Sequence, residues 1–155
     1  MPFHHICIMV SDLERSLPFY QDLLGFKNTL YNTTEPSQMF DAKTLDDILG
    51  VKNAATRIVV VADDSGAMLE LQQAANPMTI KAPDKYLRYG ATGITELALV
   101  VSDIDEFFQR VKDAGIETQT DYIWSPVPGL RSFLFYDPDG ALIQVMGETV
   151  EDAAS

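Results

Sequence analysis

Over Pro2–Val10 apolar and less apolar positions alternate, with Ile6, Ile8 and Val10 on one face and His5, Cys7 and Met9 on the other. A period of two is the mark of a strand with one buried side. His4 is then expected to point away from His5. After Val10 the spacing changes to three and four, through Leu13, Leu17, Tyr20 and Leu24. Ser11-Asp12-Leu13-Glu14 precedes that run and fits a capping box, a hydroxyl followed three residues later by a carboxylate, so a helix opens here. Gly25 stops it and Pro18 should kink it. Phe26–Tyr31 reads as a strand leaving the helix. Asn32–Asn53 is irregular, with the polar entry Asn-Thr-Thr-Glu-Pro-Ser and a predicted short helix from Ser37 to Leu49 ended by Gly50. Thr56–Ala62 is a β-branched run, and Ala67–Gln72 is its hairpin partner across Asp63–Gly66.

Ala74–Ala91 carries prolines and little periodicity and is read as a connector. The second half then repeats the order of the first. Ile94–Val101 is a predicted strand, Ser102-x-x-Asp105 caps a helix with Ile104, Phe107, Phe108 and Val111 on its apolar face, and Gly115 ends it. Thr118–Trp124 should be extended, Ser125–Gly129 a proline-containing loop, and Leu130–Tyr136 and Ala141–Met146 the last strands. Glu148–Ser155 is an acidic, small-residue tail expected to fray. The organisation expected is one domain of two modules, about 3–73 and 92–147, joined by a connector at about 74–91.

The repeat is visible in the residues themselves. DPDGALIQ at Asp137–Gln144 has an earlier counterpart in DDSGAMLE at Asp63–Glu70, and HHICIMVSDLERS has a later one in TELALVVSDIDEF. Each first member of these alignments is a turn or strand with the same punctuation: Gly66 matches Gly140, and the Ser-Asp of one helix start matches the Ser-Asp of the other. On this alignment Glu96 stands where His5 stands, and Gln144 where Glu70 stands. His5 and Glu70 are 65 positions apart and Glu96 and Gln144 are 48 apart, and the excess of 17 falls in Asn32–Asn53. That insertion is the natural lid or pocket wall.

Composition narrows the field. With 155 residues, 46% of them hydrophobic, the chain can bury one substantial core. A formal charge of −12 argues against nucleic acid and anionic membranes as partners, since both need clustered Lys or Arg. No run approaches a membrane span and the N-terminus lacks a signal-peptide layout, so a cytoplasmic location is expected. Cys7, the single cysteine, lies mid-strand among apolar neighbours and is expected to be a buried small hydrophobe.

Alternation puts His5, Glu70, Glu96 and Gln144 opposite Ile6, Leu69, Leu97 and Ile143, which the amphipathic helices would cover. One imidazole, two carboxylates and one amide oxygen form a donor set for a six-coordinate divalent ion with positions left for water or substrate.

In HHICIMVSDLERSLPFYQDLLGF, GAMLELQQ, TGITELALVVSDIDEFFQRVKDAGI and FLFYDPDGALIQV the chain resembles the vicinal oxygen chelate superfamily. That superfamily includes glyoxalase I, methylmalonyl-CoA epimerase, extradiol dioxygenases and the fosfomycin and bleomycin resistance proteins. The resemblance implies an α+β fold of two βαβββ modules forming an incomplete barrel around one cleft, where a metal chelates two neighbouring substrate oxygens. It places His5 on the family's first ligand and Glu70 on its second. Glu96 falls where His is usual and Gln144 where Glu is usual. A carboxylate in place of an imidazole makes the site harder and favours Mg²⁺, Mn²⁺, Co²⁺ or Ni²⁺, with Zn²⁺ still accommodated.

Dioxygen chemistry in this superfamily resembles a facial triad of two His and one carboxylate, and the adjacent His4 and His5 are the only histidines. A dioxygenase and the fosfomycin-resistance arrangement are both disfavoured. Isomerase and epimerase members polarise a carbonyl and move an α-proton with a carboxylate, which makes Glu70 and Glu96 the candidate acid and base. The expected partner is a small oxygenated molecule, and the resemblance together with exposed sheet edges implies a homodimer. Arg15, Arg57, Arg88 and Arg131 are scattered, so a glutathione or coenzyme A anion is not the first expectation. Met9, Met39, Phe40, Tyr122 and Trp124 are candidates to line a more apolar pocket. The competing classes are a binding or resistance protein of the bleomycin type, holding its ligand without turnover, and an inactive paralogue acting as a partner subunit.

Overall fold

The computed structural model describes residues 2–35 and 38–148, and the chain divides into two compact units, Met1–Lys81 and Ala82–Ser155. The first contains strands β1 (Ile6–Met9), β2 (Asn28–Asn32), β3 (Ala55–Ala62) and β4 (Met68–Asn76), with helices α1 (Leu13–Pro18) and α2 (Ala42–Leu49). The second contains β5 (Glu96–Val100), α3 (Ile104–Asp113), β6 (Trp124–Val127), β7 (Leu130–Tyr136) and β8 (Leu142–Glu148). Each unit is an open four-stranded sheet, ordered β1-β4-β3-β2 in one and β5-β8-β7-β6 in the other. The fold is α+β, built of two modules with one topology.

In both modules the first strand runs parallel to the last, with Cys7 opposite Glu70 in one and Ala98 opposite Gln144 in the other. The chain leaves that first strand and returns at the far edge, so its crossover helix lies along one face of the sheet and buries it. In the first unit Val10, Leu13, Phe19, Tyr20, Val59, Val61, Leu69 and Leu71 are buried. In the second, Phe107 of α3 packs against Phe133 and Phe135 of β7, with ring centroids 6.3 and 6.2 Å away. Helix and sheet approach so closely there that a Cβ on Gly147 would lie 2.9 Å from Cβ of Ile104.

Several boundaries move relative to the sequence reading, each for a local reason. The helices are capped by Asp rather than by the preceding Ser: Asp12 accepts from the N–H of Glu14 and Arg15, and Asp103 from that of Glu106. A carboxylate there also meets the positive end of the helix. Pro18 is the last residue of α1. Lacking an N–H, it hands over to a π-helical turn, Phe19–Leu23, closed by Leu24 N–H to the Phe19 carbonyl at 3.2 Å. β2 starts at Asn28 because the Phe26 N–H still bonds the Tyr20 carbonyl and the ring is buried. The start of the insertion helix expected at Ser37 lies outside the described residues, as does the tail from residue 149; α2 begins at Ala42 behind an Asp41 cap and ends at Gly50, where φ is 67°. β6 occupies the expected loop around Pro126, and among the described residues it pairs with β7 alone. An edge strand tolerates proline because one side of it needs no N–H.

Repeat-equivalent ion pairs tie helix to sheet in each unit. Arg57 of β3 meets Glu14 of α1 at 2.5 Å, and Arg131 of β7 grips Asp105 of α3 with both guanidinium nitrogens at 2.5 and 2.8 Å. The Asp105 carboxyl is held below its ordinary range by that hydrogen-bonded Arg131. No described helix is long and apolar enough to cross a membrane.

Replacing Gly147 by Ala should cost about 1–3 kcal/mol, because Ile104 and the Val101 carbonyl both stand in the way of the new methyl. Asp103→Ala should cost about 1 kcal/mol through the lost cap. Denaturant midpoints at unchanged slope measure both.

Candidate functional site

β1 begins only at Ile6, so His5 sits one residue before the ladder and His4 is not on a regular strand. Alternation therefore does not separate the two imidazoles, contrary to the sequence expectation. His4 Nδ1 lies 2.7 Å from His5 Nδ1, with the rings edge to face at 5.0 Å. One nitrogen of each ring is used in this contact. His5 Nε2 is then left to face Glu70, whose Oε2 is 3.6 Å away.

Two donors of one octahedral ion with bonds of about 2.1 Å lie about 3.0 Å apart when adjacent and about 4.2 Å apart when opposite. The His5–Glu70 separation of 3.6 Å matches neither and is nearer the about 3.4 Å of a tetrahedral pair, so the two side chains stand within reach of one cation after a small adjustment. The Nδ1 contact with His4 would fix the ring's orientation, as partners of metal-bound imidazoles commonly do.

Cys7 lies opposite Glu70 in the β1–β4 register. The expectation that it is buried is corrected: the residue is exposed, because β1 is an edge strand and α1 covers only its other face. Its sulfur nevertheless rests against the sheet, 3.5 Å from Gln72 Oε1. The thiol pKa is pushed up to about 12, first by desolvation and then by the charge and hydrogen bond of Glu70. Gln72 itself is buried and donates to Thr56 Oγ1 at 3.0 Å, so a polar chain crosses from β1 to β3 beside Glu70.

The second unit presents Glu96 and Gln144 in the equivalent register, on neighbouring parallel strands and on the side away from α3. Glu96 accepts a hydrogen bond from the Tyr89 hydroxyl. The connector holds Tyr89 there: the neighbouring Arg88 donates to the Gly140 carbonyl at 2.8 Å and stacks its guanidinium 4.2 Å from the Tyr136 ring centroid. The Tyr89 phenol is pushed up to about 12, chiefly by its hydrogen bond to Glu96, with smaller contributions from desolvation and the carboxylate's charge. Tyr89 was missed in the sequence reading because the connector has no period to place it.

Gln144 is oriented by Ser132. The buried Ser132 hydroxyl donates its one proton to the Val145 carbonyl at 2.9 Å and so can only accept from Gln144, whose Nε2 is 3.0 Å away. That assigns the amide nitrogen and leaves Oε1 as the end free to act as a ligand. Among the described residues no three His, Cys, Asp or Glu side chains form a group that could hold a metal; His5 and Glu70 lie in one unit, and Glu96 and Gln144 in the other.

Of the other residues singled out in the sequence, Met39 and Phe40 come together on one pocket of about 280 Å³ with Leu45, Thr56 and Arg57. Met9 is exposed on β1, Tyr122 is exposed and Trp124 lies on β6. The four arginines are engaged: Arg57 and Arg131 in ion pairs, Arg88 on Tyr136, and Arg15 with Ser11 Oγ at 2.9 Å.

At pH 8 a thiol with a pKa near 12 should react with a disulfide reagent about 10²-fold more slowly than an ordinary cysteine despite its exposure, the scarcity of thiolate outweighing its greater nucleophilicity. Glu70→Gln should accelerate Cys7, since the carboxylate contributes to the shift; stopped-flow absorbance reads both rates. A spectrophotometric titration should show a late phenol that disappears in Tyr89→Phe. Because the folded value is raised, any stabilisation linked to it is present below about pH 10 and lost as pH rises toward 12.

The family model for the Glyoxalase/Bleomycin resistance protein/Dioxygenase superfamily matches residues 3–145. An uncharacterized protein of Bacillus subtilis (strain 168), YwkD, is 29% identical over 141 residues, covering 88% of each chain. A crystal structure of a glyoxalase family protein from Bacillus cereus superposes with a TM-score of 0.77 at 21% identity, covering 94% of this chain and 93% of the other. The fosfomycin resistance protein FosX from Listeria monocytogenes, solved with Mn(II) and sulfate, gives a TM-score of 0.57 at 19% identity and covers 97% of this chain and 93% of its own. Since the model spans nearly the whole sequence and the repeated sheets have the corresponding architecture, the chain belongs to the glyoxalase/bleomycin resistance protein/dioxygenase superfamily.

Proposed function

We propose that this protein is a metal-dependent isomerase, epimerase or lyase of the glyoxalase type, moving a proton next to a carbonyl of a small oxygenated substrate. The observation that carries the reading is the 3.6 Å approach of His5 Nε2 to Glu70 Oε2, at positions whose repeat equivalents in the second sheet are Glu96 and Gln144. His5, Glu70, Glu96 and Gln144 are the metal ligands, and the ion is Mg²⁺, Mn²⁺, Co²⁺, Ni²⁺ or Zn²⁺. When bound it would polarise the substrate carbonyl and acidify the neighbouring C–H.

The residues of the chain do the rest. His4 braces the imidazole of His5, and Ser132 keeps the Gln144 oxygen free by occupying its nitrogen. Glu70 and Glu96 are the carboxylates available to take the α-proton and return it, a role that suits epimerisation or a 1,2-proton shift. Cys7, held protonated beside Glu70, is not a nucleophile in this scheme. The protein works as a cytoplasmic homodimer in this reading, and light scattering at micromolar concentration tests the assembly.

One observation favours a second reading. Tyr89 already donates to Glu96, and a carboxylate committed to a phenol suits a cleft that holds a ligand without turnover, as in a resistance protein of the bleomycin type.

Purified protein prepared without chelator should contain about one divalent ion per chain by elemental analysis. Glu70→Gln and Glu96→Gln should keep the fold, and at least one should lose roughly 10²-fold or more in rate. The assay is deuterium incorporation from D₂O into α-hydroxy ketones, thiohemiacetals, 2-substituted acyl thioesters and hydroxy lactones. Metal-replete protein that exchanges none of these but binds an apolar ligand tightly would establish the second reading instead.

A further inference from the structure

The insertion that distinguishes the first module delivers an aromatic ring to the face that carries Glu70. Tyr31 of β2 pairs with Val60 of β3, Val60 with Glu70 of β4, and Glu70 with Cys7 of β1. These four residues form one cross-strand row and project from the same side of the sheet. With strands about 4.8 Å apart, Tyr31 stands about 10 Å across the row from Glu70. Phe40, from the insertion, lies against Tyr31 with ring centroids 5.0 Å apart.

Phe40 also walls the pocket of about 280 Å³ formed with Met39, Leu45 and the start of β3. An apolar cavity of about 150 Å³ suffices for benzene, so this space takes one ring with room at its mouth. Its polar boundary is set by hydroxyls and backbone rather than by free charge. Thr33 and Thr56 contribute hydroxyls, and Arg57 is already neutralised by Glu14. β2 stops at Asn32, so beyond the Thr33–Ile58 hydrogen bonds β3 has lost its neighbour, and Thr56 continues as the bare edge.

We propose that Tyr31, Phe40 and the adjoining pocket form a subsite for an aryl or similarly flat apolar substituent of the substrate. The inference rests on the metal-site reading above, since it takes the substrate's paired oxygens to lie at His5 and Glu70. It narrows the substrate class to neutral vicinal hydroxycarbonyl compounds bearing a ring, about 10 Å across the sheet from the ligand pair. The ring pair rather than a cation sets selectivity, in keeping with a formal charge of −12 and arginines that are otherwise engaged.

The probes are 1-hydroxy-5-phenylpentan-2-one and 1-hydroxypentan-2-one, which share the hydroxyketone and a three-carbon chain; only the first carries a terminal ring, on a tether long enough to span the about 10 Å between the ligand pair and Tyr31. With Mn²⁺-supplemented wild-type protein, calorimetry should show the phenyl compound binding roughly 10-fold or more tightly than the ring-free one. Phe40→Ala should lower that preference about fivefold or more with 1-hydroxypentan-2-one affinity unchanged, and Phe40→Tyr, which keeps the ring, should restore it. Equal affinities in the wild type, with Mn²⁺ bound, overturn the subsite and leave the metal reading intact. Titrating metal-free protein with benzyl alcohol separates the other failure: perturbed Tyr31 and Phe40 ring resonances in a protein that binds no Mn²⁺ retain the subsite and remove the metal reading. If benzyl alcohol perturbs neither ring and Mn²⁺ does not bind, both fall.

Discussion

The pairing of first strand to last in each module is the constraint on which everything else depends. β1 lies parallel to β4 with Cys7 against Glu70, and β5 lies parallel to β8 with Ala98 against Gln144. A slip of one residue would turn Glu70 into the helix-covered side and bring Leu69 out, because neighbouring strand positions face opposite ways. Burial of Leu69, Leu71, Ile143 and Val145 beneath the crossover helices prevents the slip. Hydrophobic packing on one face therefore fixes the register that presents polar groups on the other.

Around that register the two modules conserve their structural parts and vary their chemical ones. Asp63 and Asp137 make equivalent turns: each carboxylate accepts from the backbone two and four residues ahead, and Gly66 and Gly140 follow at φ of 88° and 93°. Such a turn needs an Asx acceptor and a residue at ease with positive φ. The Asp caps and the Arg-to-acid pairs recur at matched positions as well. The exposed ion pairs contribute little stability, and their regularity is instead a sign of how each helix is aligned on its sheet. At the sites facing away from the helices the modules diverge, to His5 and Glu70 in one and Glu96 and Gln144 in the other.

Each divergent residue has acquired its own local partner. His5 has His4, Glu70 has the Cys7 thiol, Glu96 has Tyr89, and Gln144 has Ser132. An amide is the better neighbour for Ser132, since a carboxylate would bring lone pairs against an oxygen whose proton is already given to Val145. The choice of Gln at 144 thus agrees with a buried hydroxyl on the adjacent strand. The insertion supplies what the repeat lacks, an aromatic ring above the Glu70 row.

The sequence by itself determined the strand and helix order, the α+β class, the duplication and the strand faces on which Glu70, Glu96 and Gln144 stand. Those features are carried by short-range periodicity and by turn residues whose backbone preferences are local, as at Gly50, Gly66 and Gly140. Tertiary structure decided the rest. That His4 turns toward His5, that Cys7 is exposed yet held protonated, and that Pro126 sits within an edge strand depend on where each strand stops and what lies beside it. Tyr89 on Glu96 and Phe40 on Tyr31 come from segments without period, whose positions follow from contacts such as Arg88 on the Gly140 carbonyl. Pattern along the chain encodes which side of a strand is buried; it does not encode which aperiodic residue is brought over the side left uncovered.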